Sequence, residues 1–378
     1  MGEKIRTLVD AHKSEINLAV SSDNGFFEED LIRENSFLNI PEIPQSYRRY
    51  GYGLLSYVSK KIIYDWFKDY QKEPLFHSVQ SKITNSGMSA IDLTISTLAS
   101  ILNKRKIIAP SNIYFASDEL LKMYEHNLLE VVTRYKSKEG LERIIENSDM
   151  SDFILFLETC SNSPDMTFYS EEDIKKYSEK FNYVIVDGSL IGLSRVNPSI
   201  FDNRNVIYVE SLSKNYHQEE SSRVTAGIVI YPEQFEESFQ KRFYCSGCYL
   251  QLNDLMELPV DLYEVGKERI MTITKWVSQF YAESKECALK HSVHVAKISE
   301  DIDKVPLVLF LDFQSNDRLE EYIRLSHIPK RGSFGHNSTY ILPIGLMWDT
   351  APEGLARIAF GTEKYDPLYV KAFGELEK

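Results

Sequence analysis

The chain has 378 residues, 43% hydrophobic and 26% charged, an ordinary globular composition with length enough for more than one domain. Its formal net charge of −13 argues against nonspecific nucleic-acid binding, which needs a basic surface. The opening MGEKIRTLVDAHKSEINLAV does not read as a signal peptide and no stretch approaches the roughly 18 apolar residues of a membrane helix, so a cytoplasmic protein is expected.

Residues 1–55, with Pro41 and Pro44, read as an irregular arm. MSAIDLTISTLASILN then predicts a long, mostly buried helix. From Lys106 to Pro232 short β-rich runs (KIIAP, LEVVTRY, DFILFLET, YVIVDGS, NVIYVES, TAGIVIYP) alternate at first with amphipathic segments (ASDELLKMYEHN, KEGLERIIENS, SEEDIKKYSEKFN). The runs are continuously apolar and the segments have helical spacing. This alternation predicts an α/β fold whose sheet is mostly parallel with helices on both faces. The last three strands follow one another so closely that one is free to be antiparallel. After Pro232 a helical stretch is expected to about Ala296. A smaller C-terminal α/β unit follows, with strand VPLVLFLDF, helix NDRLEEYIRLS, strand ARIAFGTE and a closing helix from Pro367. The expected parts are an arm over 1–55, a large domain over 56–235 and a small domain over 236–378. Of the four cysteines, Cys245 and Cys248 form a CxxC, but no second pair completes a zinc site, and no metal is expected.

The chemistry centres on two strand ends. Asp187 closes YVIVD, at the carboxyl edge where α/β proteins bind ligands. Twenty-seven residues on, after NVIYVE, the run Ser211-Leu212-Ser213-Lys214 brings two hydroxyls and an amine to that edge. Either residue alone is commonplace; the pairing suits pyridoxal phosphate. That cofactor needs a lysine for its Schiff base, an acid against the pyridine nitrogen and a phosphate cradle. A carboxylate about 4 Å from the pyridinium contributes on the order of 4 kcal/mol at an effective dielectric near 20. Asn85-Ser86-Gly87-Met88 leads into the first helix, whose N-terminal amides suit a phosphate. The same residues also suit an ordinary N-cap by Ser86.

From Tyr47 to the C-terminus the sequence resembles the cystathionine γ-synthase-like enzymes of Cys/Met metabolism (transsulfuration). These are pyridoxal-phosphate proteins of the aspartate-aminotransferase fold, fold type I. The family's Ser-Gly-Met resembles Ser86-Gly87-Met88, and its Tyr-Gly-Gly-Thr is similar to Tyr114-Phe115-Ala116-Ser117. Its asparagine motif resembles Glu158-Thr159-Cys160-Ser161-Asn162-Ser163, its Val-Asp strand end Asp187, and its Ser-x-[ST]-Lys the run Ser211 to Lys214. In the C-terminal part, Ser-Leu-Gly resembles Ser333-Phe334-Gly335, and the arginine of the last strand motif resembles Arg357. The arm motif Tyr-x-Arg-x-Gly resembles Tyr47-Arg48-Arg49-Tyr50-Gly51.

The resemblance implies roles. Lys214 would carry the cofactor and act as base, and Tyr114 would stack on the ring and assist proton transfer. Asp187 would face the ring nitrogen and Asn162 the ring hydroxyl and substrate carboxylate. Ser86, Gly87, Met88, Ser211 and Ser213 would surround the phosphate, and Arg357 with Ser333 would hold the substrate. Tyr47 and Arg49 would reach a neighbouring subunit's phosphate site, in a homodimer or homotetramer with shared active sites; solvated arm charges remain the other reading of Arg48 and Arg49. The expected activity is γ-replacement or γ-elimination on a sulfur amino acid or activated homoserine. A β-lyase, an aminotransferase and a non-catalytic regulatory protein stay open as alternatives. His217, Tyr216 and His336 lie near enough to touch substrate, although surface or supporting roles are commoner for such residues. The chain departs from the family pattern at Tyr52-Gly53, Phe115-Ala116, Cys160, Ser163 and Asn215 to Glu220, so the cofactor apparatus is kept while the substrate walls differ.

Overall fold

The structure, a computed structural model, describes residues 47–125, 127–216, 225–255, 258, 262–346 and 351–376. It opens on α1 (Tyr47–Asp69), so the last residues of the expected arm are helical. Leu55, Val58, Ile62, Ile63, Trp66 and Phe67 recur at helical spacing and are buried. That stripe offsets the helix penalties of Gly51 and Gly53. Trp66 also donates its indole N–H to the Val196 carbonyl at 2.7 Å.

β1 (Val79–Thr84), α2 (Gly87–Ser100), β2 (Lys106–Pro110), α3 (Phe115–Tyr124), β3 (Val131–Tyr135) and α4 (Lys138–Asn147) come next. They are followed by β4 (Phe153–Glu158), α5 (Glu171–Ser178), β5 (Tyr183–Asp187), β6 (Val206–Glu210), α6 (Leu212–Asn215) and β7 (Gly227–Pro232). The seven strands lie in the order β1-β7-β6-β5-β4-β2-β3. The pairs from β6 through β3 are parallel, while β7 is antiparallel to both β6 and β1. The antiparallel member allowed by the close spacing of the last runs is therefore β7. The polar-rich β1 has no counterpart among the expected strands.

Alternate side chains of each central strand enter different cores. Ile154, Phe156, Ile185 and Ile207 pack with α2 and with α7 (Glu236–Ser246), through Phe239 and Phe243. Leu155, Leu157, Val184 and Val186 pack on the other side with α1 and α5. This two-sided burial is why the strands read as unbroken apolar runs.

The helical stretch expected to about Ala296 is broken: α7 ends at a left-handed Gly247, and α8 (Leu262–Lys290) stops before β8 (His294–Val295). β9 (Val308–Asp312), α9 (Asn316–Ser326), β10 (Tyr340–Pro343), β11 (Leu355–Ala359) and α10 (Leu368–Gly374) complete the chain. Their four strands form a second, antiparallel sheet in the order β10-β11-β9-β8. Among the described residues no helix is long and apolar enough to cross a membrane.

Candidate active site

Because β4, β5 and β6 are parallel and in register, Glu158 pairs with Asp187 and Asp187 with Val209, and their carboxyl ends share one edge. The N-terminus of α2 and the segment before β10 meet that edge around a cavity of about 440 Å³. It is lined by Ser86, Gly87, Met88, Tyr114, Asn162, Asp187, Ser211, Ser213, Lys214, Ser333 and Arg357. One cavity thus gathers every residue to which the resemblance assigned a role outside the arm. Tyr47 and Arg49 lie in the first turn of α1, and their side chains fall outside what the structure describes, as does all of His217.

Lys214 sits on α6, directly after β6. Its Nζ bonds the Ser333 hydroxyl and lies 5.4 Å from the Phe334 ring. Burial, with the nearby charge of Arg357, lowers its ammonium to about 8. Arg357, on β11, donates from Nη1 to Asn162 Oδ1 at 2.9 Å and from Nη2 to the Ser333 carbonyl at 3.3 Å. Burial lowers this guanidinium to about 10. Gly335 has a positive φ, and a Cβ there would lie 1.3 Å from the Lys214 carbonyl oxygen, so only glycine fits this approach.

The acids are buried as well. Asp187 Oδ1 accepts the Ser189 N–H at 2.9 Å, and burial raises the carboxyl's pKa. Glu158 accepts the N–H groups of Tyr114 at 2.8 Å and Asn162 at 3.2 Å. Burial first, and then the charge of Asp187, lift Glu158 to about 8. Burial raises Tyr114 too, which keeps its hydroxyl protonated at neutral pH.

At α2, Ser86 is the N-cap and accepts the Ser89 N–H at 3.0 Å. A Cβ on Gly87 would come 2.7 Å from the Ser211 Cβ, so glycine lets the start of α2 touch the N-cap of the helix that carries Lys214. The Ser213 hydroxyl accepts the Ala226 N–H at 2.8 Å and donates to the Ala226 carbonyl at 3.1 Å. The loop of Asn162, where the resembled family has prolines at 160 and 163, is held by side chains instead. Thr167 N–H donates to Ser161 Oγ at 2.8 Å, and Asn112 Nδ2 donates to Ser163 Oγ at 2.8 Å.

Glu158, Phe334 and Gly335 were matched to motifs without being given a role, and Ser189, two residues beyond Asp187, was not singled out; all four line the cavity. His336 lines the cavity. Tyr216 is fully buried and does not line it. Among the described residues no group of three or more His, Cys, Asp or Glu side chains could hold a metal ion.

No protein-family model matches the sequence. No curated protein matches it either. Solved structures do. Cystathionine gamma synthase from Xanthomonas oryzae pv. oryzae, in complex with aminoacrylate and cysteine, is 14% identical, with 78% of this chain and 81% of that one aligned at TM-score 0.64. CalE6, a methionine gamma lyase from Micromonospora echinospora, is 15% identical over 87% and 85% of the chains at 0.64. A Campylobacter jejuni protein with N'-pyridoxyl-lysine-5'-monophosphate is 14% identical over 91% of both chains at 0.67. The chain has the fold these structures share, the fold type I architecture expected from its motifs.

Proposed function

We propose that this cavity binds pyridoxal 5'-phosphate on Lys214 and that the protein is an enzyme performing γ-elimination or γ-replacement on an amino acid. One observation carries the reading. A lysine with a lowered pKa, a buried aspartate, a helix N-terminus open to an anion and a braced arginine line one cavity of about 440 Å³. The fit to the cofactor is chemical. An amine at about 8 is far more often neutral, and so nucleophilic toward an aldehyde, than an ordinary lysine. A buried carboxyl such as Asp187 gains from a cationic partner, which a protonated ring nitrogen would supply. The start of α2, with Ser86, Gly87 and Met88, together with Ser211 and Ser213, would hold the phosphate.

Once bound, pyridoxal phosphate supplies an electron sink for charge at Cα. The protein's residues do the rest. Arg357, oriented by the Asn162 side chain and the Ser333 carbonyl, would clamp the substrate α-carboxylate. Lys214, restrained by Ser333, would take the Cα proton. Tyr114, kept protonated by burial, would donate to the leaving group. Tyr47 and Arg49 complete the proposal as contributors to a neighbouring subunit's phosphate site. The division into arm, cofactor domain and C-terminal domain belongs to the same proposal.

Borohydride reduction of protein incubated with pyridoxal phosphate, followed by peptide mapping, tests it. A pyridoxyl group on Lys214 is the expected result; label on another lysine, or none, refutes the assignment. A four-carbon keto acid from cystathionine or a homoserine-type substrate supports γ-chemistry, and pyruvate from cystathionine would assign a β-lyase.

A further inference from the structure

Two buried contacts of α8 approach the site from outside its cavity. A Cβ on Gly266 would lie 2.1 Å from the Tyr216 ring, so the helix backbone abuts Tyr216. Tyr216 is the C-cap of the short helix that carries Lys214, its N–H bonded to the Leu212 carbonyl. Three residues further, and therefore on the same helix face, comes the buried Arg269. Its Nη2 donates to the Gly335 carbonyl at 2.8 Å and its Nη1 to Asn337 Oδ1 at 2.7 Å. One face of α8 therefore touches both sides of the Lys214–Ser333 contact.

Arg269 does not line the active-site cavity; it lines a separate shallow groove with Glu268 and Asn337. The segment it grips needs an anchor. Ser333 and Gly335 have φ of 72° and 79°, and for serine that conformation is costly unless its surroundings impose it. Ser333 meets Lys214 through its hydroxyl and Arg357 through its carbonyl. Hydrogen bonds from a guanidinium are among the stronger ones available to such a segment.

We propose that Arg269 is a positioning residue for the Lys214 amine: through the Gly335 carbonyl and the Asn337 side chain it holds the Ser333–Gly335 wall over Lys214 and against Arg357. This rests on the reading of Lys214 as the reacting amine, yet it can be tested without cofactor. The wall is part of what buries the amine, and burial is the main cause of its lowered pKa. The other ionisable groups lining the cavity among the described residues are Arg357, Asp187, Glu158, Tyr114, Cys160 and His336, none of them on α8. A change at Arg269 therefore leaves each of those groups in the chain. If the wall loosens, water reaches Lys214 and its pKa climbs from about 8 toward 10.5.

The measurement is the pH dependence of Lys214 acetylation by trace acetic anhydride, read by peptide mapping on cofactor-free full-length protein. The variants are Arg269→Met, Arg269→Lys and, as a control in the same groove, Glu268→Gln. The unmodified protein should show a midpoint near 8. Arg269→Met should raise it by about one unit or more, each unit being tenfold in the proton-binding constant. Arg269→Lys should fall between, because one ammonium cannot reproduce the paired grip. Glu268→Gln should match the unmodified protein. A folded Arg269→Met protein with an unmoved midpoint overturns the proposal, as does an equal shift in Glu268→Gln or an unmodified midpoint already near 10.5. Should Arg269→Met fail to fold, an unmoved midpoint in Arg269→Lys overturns it. Failure of the unmodified protein to take up pyridoxal phosphate would refute the proposed function and leave the comparison of midpoints intact.

Discussion

Lys214 and Glu158 imprint opposite pH signatures on stability. Lys214 falls from 10.5 to about 8 on folding, so the unfolded chain binds its proton more tightly. Below pH 8 its buried charge weighs on the fold in full, and the cost disappears as pH rises from about 8 to 10.5. The cost is at most on the order of 3 kcal/mol, less whatever water in the cavity screens. Glu158 rises from 4.5 to about 8, so its contribution worsens as pH climbs between those values. Lys214→Met should therefore unfold at a higher temperature than the unmodified protein at pH 7, with the gap closing toward pH 10.5; calorimetry across that range reads it. A gap that widens with pH would mean the amine is not buried as a cation. Asp187→Asn should retain cofactor on Lys214 yet lose turnover by roughly 10²–10³, if a few kcal/mol of ring-nitrogen stabilisation vanishes at 1.36 kcal/mol per decade. Near-normal steady-state turnover would remove Asp187 from the ring nitrogen.

Elements position these residues by close approach. The start of α2 touches the junction of β6 and α6 only because Gly87 has no side chain: a methyl there would sit 2.7 Å from Ser211 Cβ and 3.0 Å from its Cα. Gly87→Ala should cost about 1–3 kcal/mol, the usual range for overpacking, and should weaken uptake of pyridoxal phosphate. Thermal unfolding and cofactor titration check the two effects separately, and unchanged values in both would mean that α2 has slack. At this scale the sequence is uneven in what it discloses. NDRLEEYIRLS coincides with α9, because Ser315 caps its start and Leu319 and Tyr322 supply the apolar stripe. β1 was illegible because VQSKIT carries polar residues and is ordered by pairing with β7. α1 was not anticipated: the expected arm ran to residue 55, and Gly51 and Gly53 hide where the helix begins, although the buried residues from Leu55 onward recur at helical spacing.

For the whole molecule, the proposal of shared sites rests on the Tyr47-x-Arg49-x-Gly51 motif. Lys214→Ala and Arg49→Ala chains would each supply half of a composite site, so dissociating and reassembling the two inactive proteins together should restore activity to mixed dimers. Each mixed dimer would regain one intact site. Mixed dimers that form and stay inactive, or an active monomer at every concentration, would exclude the shared site.

The sequence by itself determined the alternation of strands and helices and the placement of Asp187 and Lys214 at the carboxyl edge of the sheet. Both are local: two-sided burial writes continuous apolar runs, and a strand's end fixes which residue reaches the edge. Tertiary structure alone decided that Asn162 and Arg357, 195 residues apart in sequence, share a hydrogen bond. It also decided that Glu158 lies beneath both Tyr114 and Asn162, and that α8 reaches the Ser333–Gly335 wall through Arg269. Such contacts depend on how whole elements pack, and neither periodicity nor motif spacing carries that information.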